Sequence, residues 1–210
     1  MIPSSARSAR ALSARARSLS PVPVRVLVLG TLLLSCSPPV RPPPLPLLAQ
    51  VPTFSLTDHT GRPFGSADLA GKVWVANFIF TRCPDICPVF TRKLAEVRRL
   101  SPSSIHLISF SVDPTFDTPP VLAAYAKSHG AIAPRWHFLT GDHAEIQRTV
   151  EQGMKIGMEG QPGAPPASIV HGSWFVLVDA TMRVRGYYPM DEKSAPAKVA
   201  RDAARLATEP

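Results

Sequence analysis

A three-layer α/β sandwich around a central mixed β-sheet is the fold class that this 210-residue sequence predicts. Three observations carry the prediction. Two nearly unbroken apolar runs, "KVWVANFIF" and "SIHLISFSVD", read as strands buried on both faces. A segment with helical spacing follows each of them, and the chain then closes with a hairpin pattern and a last helix.

Taken in order, "FSLTDHTGRPFG" sets two short apolar pieces around Thr60-Gly61 and predicts an N-terminal β-hairpin extension ahead of the sheet. After the first buried run, "VFTRKLAEVRRL" places Val89, Leu94, Val97 and Leu100 at near-helical spacing. After the second, "DTPPVLAAYAKSHG" opens on Asp117 or Thr118 as cap, has prolines in its first turn and closes on Gly130, as helices do. "WHFLTGD" predicts a short strand and "HAEIQRTVEQG" a helix, while "MEGQPGAPPAS" has the composition of a loop. "IVHGSWFVLVD", a turn at "ATM" and "RVRGYY" form a hairpin, and "EKSAPAKVARDAARLA" a closing helix.

The length suits one domain with extra chain at the front. Residues 1–35 hold Arg7, Arg10, Arg15, Arg17 and Arg25, no acid, and then "VLVLGTLLLSC", the order of a secretory signal: basic, apolar, small at the cut. The apolar part is well short of the roughly 20 residues that cross a bilayer, so cleaved export is favoured over an uncleaved anchor. Setting those five arginines aside leaves 18 basic residues against 15 acids, a net +3 in place of +8. That balance gives no reason to expect nucleic acid as a partner. Residues 36–52 are proline-dense and predict an extended tether or a disordered tail; 53–210 form the folded domain.

Beyond Cys36 only Cys83 and Cys87 remain, in "TRCPDICPVF". Outside the cytosol a lone pair reads as a bridge, but a bridge enclosing three residues constrains the unfolded chain little. A redox pair and a metal claw remain. Four apart on a helical turn, the two sulfurs face one space, and a helix N-terminus favours the thiolate. Two thiolates leave a soft-metal site incomplete, so a third ligand comes from elsewhere. His59, His106, His129, His137 and His143 occupy turns, strand beginnings or helix ends, where a solvated or capping imidazole is expected. His171 enters an apolar strand beside Gly172, which allows close approach. A Cys2His set suits copper as Cu(I) and as Cu(II). Asp85 and Asp113 are candidates to tune the sulfurs, or are plain turn and strand-end residues; Trp174 and Phe175 are expected in the core.

Residues 53 to 190 resemble the Sco/SenC family of copper-binding, cytochrome c oxidase assembly proteins. The resemblance is carried by "FTRCPDICP", "SVDPTFDTPPVLAAYAKSHG", "WHFLTG" and "VHGSWFVLVD", in that order. It implies a thioredoxin-like fold and one copper ion held by Cys83, Cys87 and His171. It also implies work on the periplasmic side of a membrane, delivering copper to subunit II of cytochrome c oxidase or another copper acceptor, from a donor the sequence does not name. The family's usual tether is a transmembrane helix. Here "LLSC" resembles the lipobox of bacterial lipoproteins, with Cys36 as the lipid-bearing residue. Two enzymatic readings stand beside this one. In a thiol-disulfide oxidoreductase acting on the acceptor's cysteines, one of Cys83 and Cys87 attacks and the other resolves. In a peroxidase, Cys83 is the peroxidatic thiol and Arg82 its activator.

Overall fold

A computed structural model describes residues 42–131, 134–161 and 163–209; the expected signal segment and Cys36 lie outside the described residues. Within the expected tether of residues 36–52, β1 (Ala49–Gln50) is a short strand. The predicted N-terminal hairpin follows as β2 (Ser55–Asp58) and β3 (Pro63–Gly65), with Leu56 opposite Phe64. Its turn is closed by the Asp58 carboxylate, whose Oδ1 accepts from the Thr60 backbone at 2.8 Å, the Thr60 hydroxyl at 2.6 Å and the Arg62 backbone at 3.1 Å. Gly61 takes the positive φ of +82° that such a turn needs. A single turn, α1 (Ser66–Leu69), leads on.

Both apolar runs form central strands. In β4 (Trp74–Ile79) every residue is buried, and β4 lies parallel to β5 (His106–Ser111), which in turn lies parallel to β6 (Trp136–Thr140). The crossovers are α2 (Ile86–Leu100) and α3 (Pro119–Ser128). In α2 the buried face runs through Cys87, Phe90, Thr91, Leu94 and Val97; Val89 is only half-buried and Leu100 is exposed, so the stripe is rotated from the expected one. Thr118 is the N-cap of α3, and the prolines follow it where a missing N–H costs nothing.

The expected helix over 143–153 is α4 (His143–Gln147), capped by Asp142, continued by a π-helical segment at Arg148–Gly153. The segment expected as loop contributes β7 (Met158–Glu159), which pairs with β8 (Val170–His171) as a separate two-stranded sheet. The strand expected from Ile169 is thus split: Gly172 and Ser173 interrupt it, and β9 (Trp174–Val178) begins beyond them, paired with β10 (Arg183–Pro189). α5 (Ala195–Leu206) ends the fold.

One mixed sheet results, in the order β1-β10-β9-β4-β5-β6-β2-β3. Adjacent strand residues point to opposite faces. The Tyr188 hydroxyl reaches Asp202 of α5 and the Tyr187 hydroxyl reaches the Met154 carbonyl after the π segment, so these two covers lie on opposite sides of the sheet. α2 packs against α5 and bonds α3 through Thr91 and Tyr125, which completes the three layers of an α/β, thioredoxin-like fold.

The compact unit begins at Pro43, earlier than the boundary expected after residue 52. The reason is the edge of the sheet. β1 pairs with β10, and the buried Arg185 guanidinium donates to the Leu45 and Pro46 carbonyls while it pairs with Asp179.

Candidate metal centre

β4 ends at the carboxyl edge of the sheet, where ligands gather in open α/β folds. The chain leaves it through Phe80 and a tight turn in which the Cys83 amide donates to the Phe80 carbonyl, and α2 then begins at Ile86. Each cysteine precedes a proline for a local reason. Pro84 stiffens the turn, and Pro88 lies in the first turn of α2, where its missing N–H would be unpaired in any case. Cys83 therefore precedes the helix and Cys87 lies inside its first turn.

The two thiols are free, and their surroundings differ. Burial pushes the Cys83 thiol up, but backbone amides of Cys87, Asp85 and Ile86 at the helix start hydrogen-bond its sulfur and leave its pKa below that of an ordinary thiol. The Cys87 amide reaches Cys83 Sγ at 3.4 Å. Cys87 is fully buried, and burial, aided by the adjacent Cys83 sulfur and Asp117, pushes its pKa up to about 12.

His171 arrives from β8. Its Nδ1 lies 3.2 Å from the Gly172 carbonyl, to which only an N–H can bond, so the Nε2 lone pair faces outward, 3.7 Å from Cys87 Sγ. Burial pushes the imidazole pKa down and keeps the ring neutral, the state in which histidine binds metal. The ring stands edge-on to Phe80 at 6.0 Å. A methyl group at Gly172 would lie 2.8 Å from Ile156 Cγ2 and 3.2 Å from Trp174 Cδ1, so the glycine permits the close approach that its sequence position predicts, and β8 can turn the histidine inward.

One ion fits between Cys87 and His171. With bonds of about 2.3 Å to sulfur and 2.0 Å to nitrogen, a 3.7 Å separation corresponds to an angle of about 115–120° at the metal. The three donor atoms do not all fall within 4.8 Å of one another, so Cys83, on the cleft side, would have to move closer to join Cys87 and His171 on one ion. That cleft, about 750 Å³, is bordered by Phe80, Cys83, Ile86, Pro165, Ile169 and His171, with Cys87 behind it.

Arg82 holds the frame. Its Nε and Nη2 donate to Asp113 Oδ2 at 2.9 and 2.7 Å, Nη2 also donates to the Ala164 carbonyl at 3.0 Å, and the guanidinium lies 4.7 Å over the Phe116 ring. Arg82 is thereby committed to the loop that leads to His171 and offers Cys83 no activating bond. Asp113, 2 % exposed, holds Arg82 rather than a sulfur, and Asp85 is solvent-exposed. Phe175 is in the core as expected, whereas Trp174 is 37 % exposed at the start of β9. Asp117 escaped the sequence reading because it competed with Thr118 for the role of cap. It turns inward instead, accepts from the Thr81 amide at 3.1 Å and the Ser111 hydroxyl at 2.6 Å, and supports the cysteine turn from below. Burial pushes its pKa up.

A sequence model of the family described as SCO1/SenC matches residues 46–208. Among solved structures, a SCO1/SenC family lipoprotein from Bacillus anthracis is 31% identical, with a TM-score of 0.69 over 76% of this chain and 95% of that one. BsSco, a member of the Sco family of cytochrome c oxidase assembly proteins in which a disulfide switch is identified, is 28% identical, with a TM-score of 0.70 over 80% of this chain and all of that one. Bradyrhizobium japonicum ScoI with copper bound is 28% identical, with a TM-score of 0.63 over 75% of this chain and 99% of that one.

Proposed function

Because the chain belongs to the SCO1/SenC family, we propose that it is a copper chaperone that binds one copper ion through Cys83, Cys87 and His171 and supports assembly of the binuclear copper centre of cytochrome c oxidase. The observation that carries this reading is the 3.7 Å approach of Cys87 Sγ to Nε2 of His171, the unprotonated nitrogen of the ring, which accepts from the thiol when no ion is bound. Thiolates hold Cu(I) and imidazole tolerates Cu(II), so the set serves both oxidation states. The copper-bound state of ScoI and the oxidase-assembly family of BsSco support the cargo and its destination. Cargo leaves by ligand exchange. A thiolate of subunit II, or of another copper acceptor, enters the cleft and bonds the ion as Cys83 releases it; Cys87 and His171 let go last. In this reading Cys36 carries the lipid, and the domain works on the periplasmic face of a membrane.

A second reading, thiol-disulfide reduction of the acceptor, is favoured by the opposite shifts of the two thiols. The Cys83 thiolate attacks one sulfur of an acceptor disulfide; the acceptor S–S bond breaks, its other sulfur leaves as a thiolate that takes up a proton, and a mixed disulfide to Cys83 remains. Cys87 then loses its proton and displaces the second acceptor sulfur, so the acceptor leaves with two thiols and Cys83 and Cys87 are joined.

Copper content and absorption spectra of the purified chain separate the two. Wild type is expected to carry one copper per chain, lost in Cys83→Ser and in His171→Ala, while His171→Ala keeps most of its disulfide exchange. Stoichiometric, tightly held copper in His171→Ala would remove the histidine from the site and overturn the chaperone reading in this form.

A further inference from the structure

At the rim of the sheet opposite the cysteines, the hairpin turn and the start of β6 bring Asp58, His59 and His137 together, all with donor atoms within 4.8 Å of one another. β6 runs parallel to β4 and β5, so its first residues and the end of β4 are separated by roughly 20 Å of strand. His137 Nε2 lies 2.9 Å from the Pro134 carbonyl and must donate to it. In a neutral ring the lone pair is then on Nδ1, and it confronts Asp58 Oδ2, another acceptor, at 3.1 Å. Either a proton on Nδ1, which makes the contact an ion pair, or a metal ion between the two atoms resolves it. Asp58 Oδ1 is already committed to the turn, which fixes the carboxylate and aims Oδ2 at the ring.

We propose that Asp58, His59 and His137 form a second metal site, for a divalent cation of the zinc or copper(II) type. A separation of 3.1 Å between two ligands with bonds of about 2.1 Å corresponds to an angle of about 95° at the ion, within the range of ordinary coordination. His59 supplies the third donor. Its Nδ1 accepts the Phe138 amide at the long distance of 3.3 Å, which marks that atom as unprotonated; coordination from it replaces this bond and leaves the amide unpaired, which weakens the site. Burial keeps the His59 ring neutral, and hydrogen bonds from the turn hold the Asp58 carboxyl below its usual range against the effect of its own burial. One carboxylate and two imidazoles, with no sulfur, select a borderline divalent ion and discriminate against Cu(I), so this site is chemically distinct from the cysteine site.

The test is zinc titration, by calorimetry, of the full chain carrying Cys83→Ser, Cys87→Ser and His171→Ala, which isolates this rim. One equivalent of Zn²⁺ is expected to bind, and Asp58→Asn or His137→Gln in that background is expected to weaken binding at least about tenfold. Asp58→Asn retains the Oδ1 acceptor that closes the turn, so a matching unfolding midpoint verifies that the fold is intact. As a second measurement, nitrogen-detected NMR of the histidines should show His137 Nδ1 and a His59 nitrogen shifting on zinc addition. No uptake overturns the proposal, and both His137 nitrogens protonated against Asp58 and Pro134 would identify the contact as a simple ion pair. Uptake that neither substitution alters also overturns it. Neither outcome bears on copper at Cys83, Cys87 and His171.

Discussion

Cys83 and Cys87 are four residues apart and their pKa values are shifted in opposite directions, Cys83 down and Cys87 up, because one receives helix-start amides and the other is sealed beneath them. Only a thiolate is alkylated. In metal-free protein, iodoacetamide is therefore expected to label Cys83 first, at a rate that rises with pH and levels off below the pKa of an ordinary thiol. Cys87 should stay unlabelled until the pH approaches about 12 or the chain unfolds. Peptide mass spectrometry after timed quenching reads both, and preferential labelling of Cys87 at neutral pH would contradict the assigned surroundings. The cysteine pair and the outlying histidine are legible in the sequence, since spacing and an apolar flank mark them. The asymmetry of the pair is not, because it arises from which sulfur faces the amides and which faces the core.

Among the elements, β1 departs most from expectation. Proline density marks residues 36–52 as extended chain, and extended chain is what an open sheet edge can recruit. Local composition does not reveal whether an edge lies within reach. Here β10 offers one, and the Leu48 amide bonds the Val184 carbonyl while Arg185 binds the carbonyls of Leu45 and Pro46. A chain beginning at Val51 is expected to be about 2–4 kcal/mol less stable to urea than one beginning at Pro43, since it leaves Arg185 without two acceptors and uncovers the β10 edge. Equal midpoints for the two would show that β1 only lies against the sheet. The split between β8 and β9 has a similar origin. "IVHGSWFVLVD" reads as one apolar run, but Gly172 and Ser173 let the chain leave the sheet and turn His171 toward Cys87.

At the scale of the whole molecule, the sheet is a platform with Cys83, Cys87 and His171 at one rim and Asp58, His59 and His137 at the other. Its centre is aromatic: Phe110 is fully buried, with ring centroids 5.6 Å from Phe54, 6.4 Å from Trp74 and 6.2 Å from Phe78. Phe110→Ala is expected to cost about 3–5 kcal/mol, read as a lowered urea midpoint of the metal-free protein. A cost below about 1 kcal/mol would mean that the central strands do not pack as a unit. The sequence by itself determined the α/β class, the order of the central strands and helices, and the residue types able to bind a soft metal, because periodicity and spacing are local properties of the chain. Only the tertiary structure decided which edge the proline-rich segment covers, that Cys83 and Cys87 have opposite acidities, and that Asp58 and His59 of the hairpin meet His137 of β6. Each of these depends on long-range pairing and on which groups are removed from water, and neither is written in any single stretch of sequence.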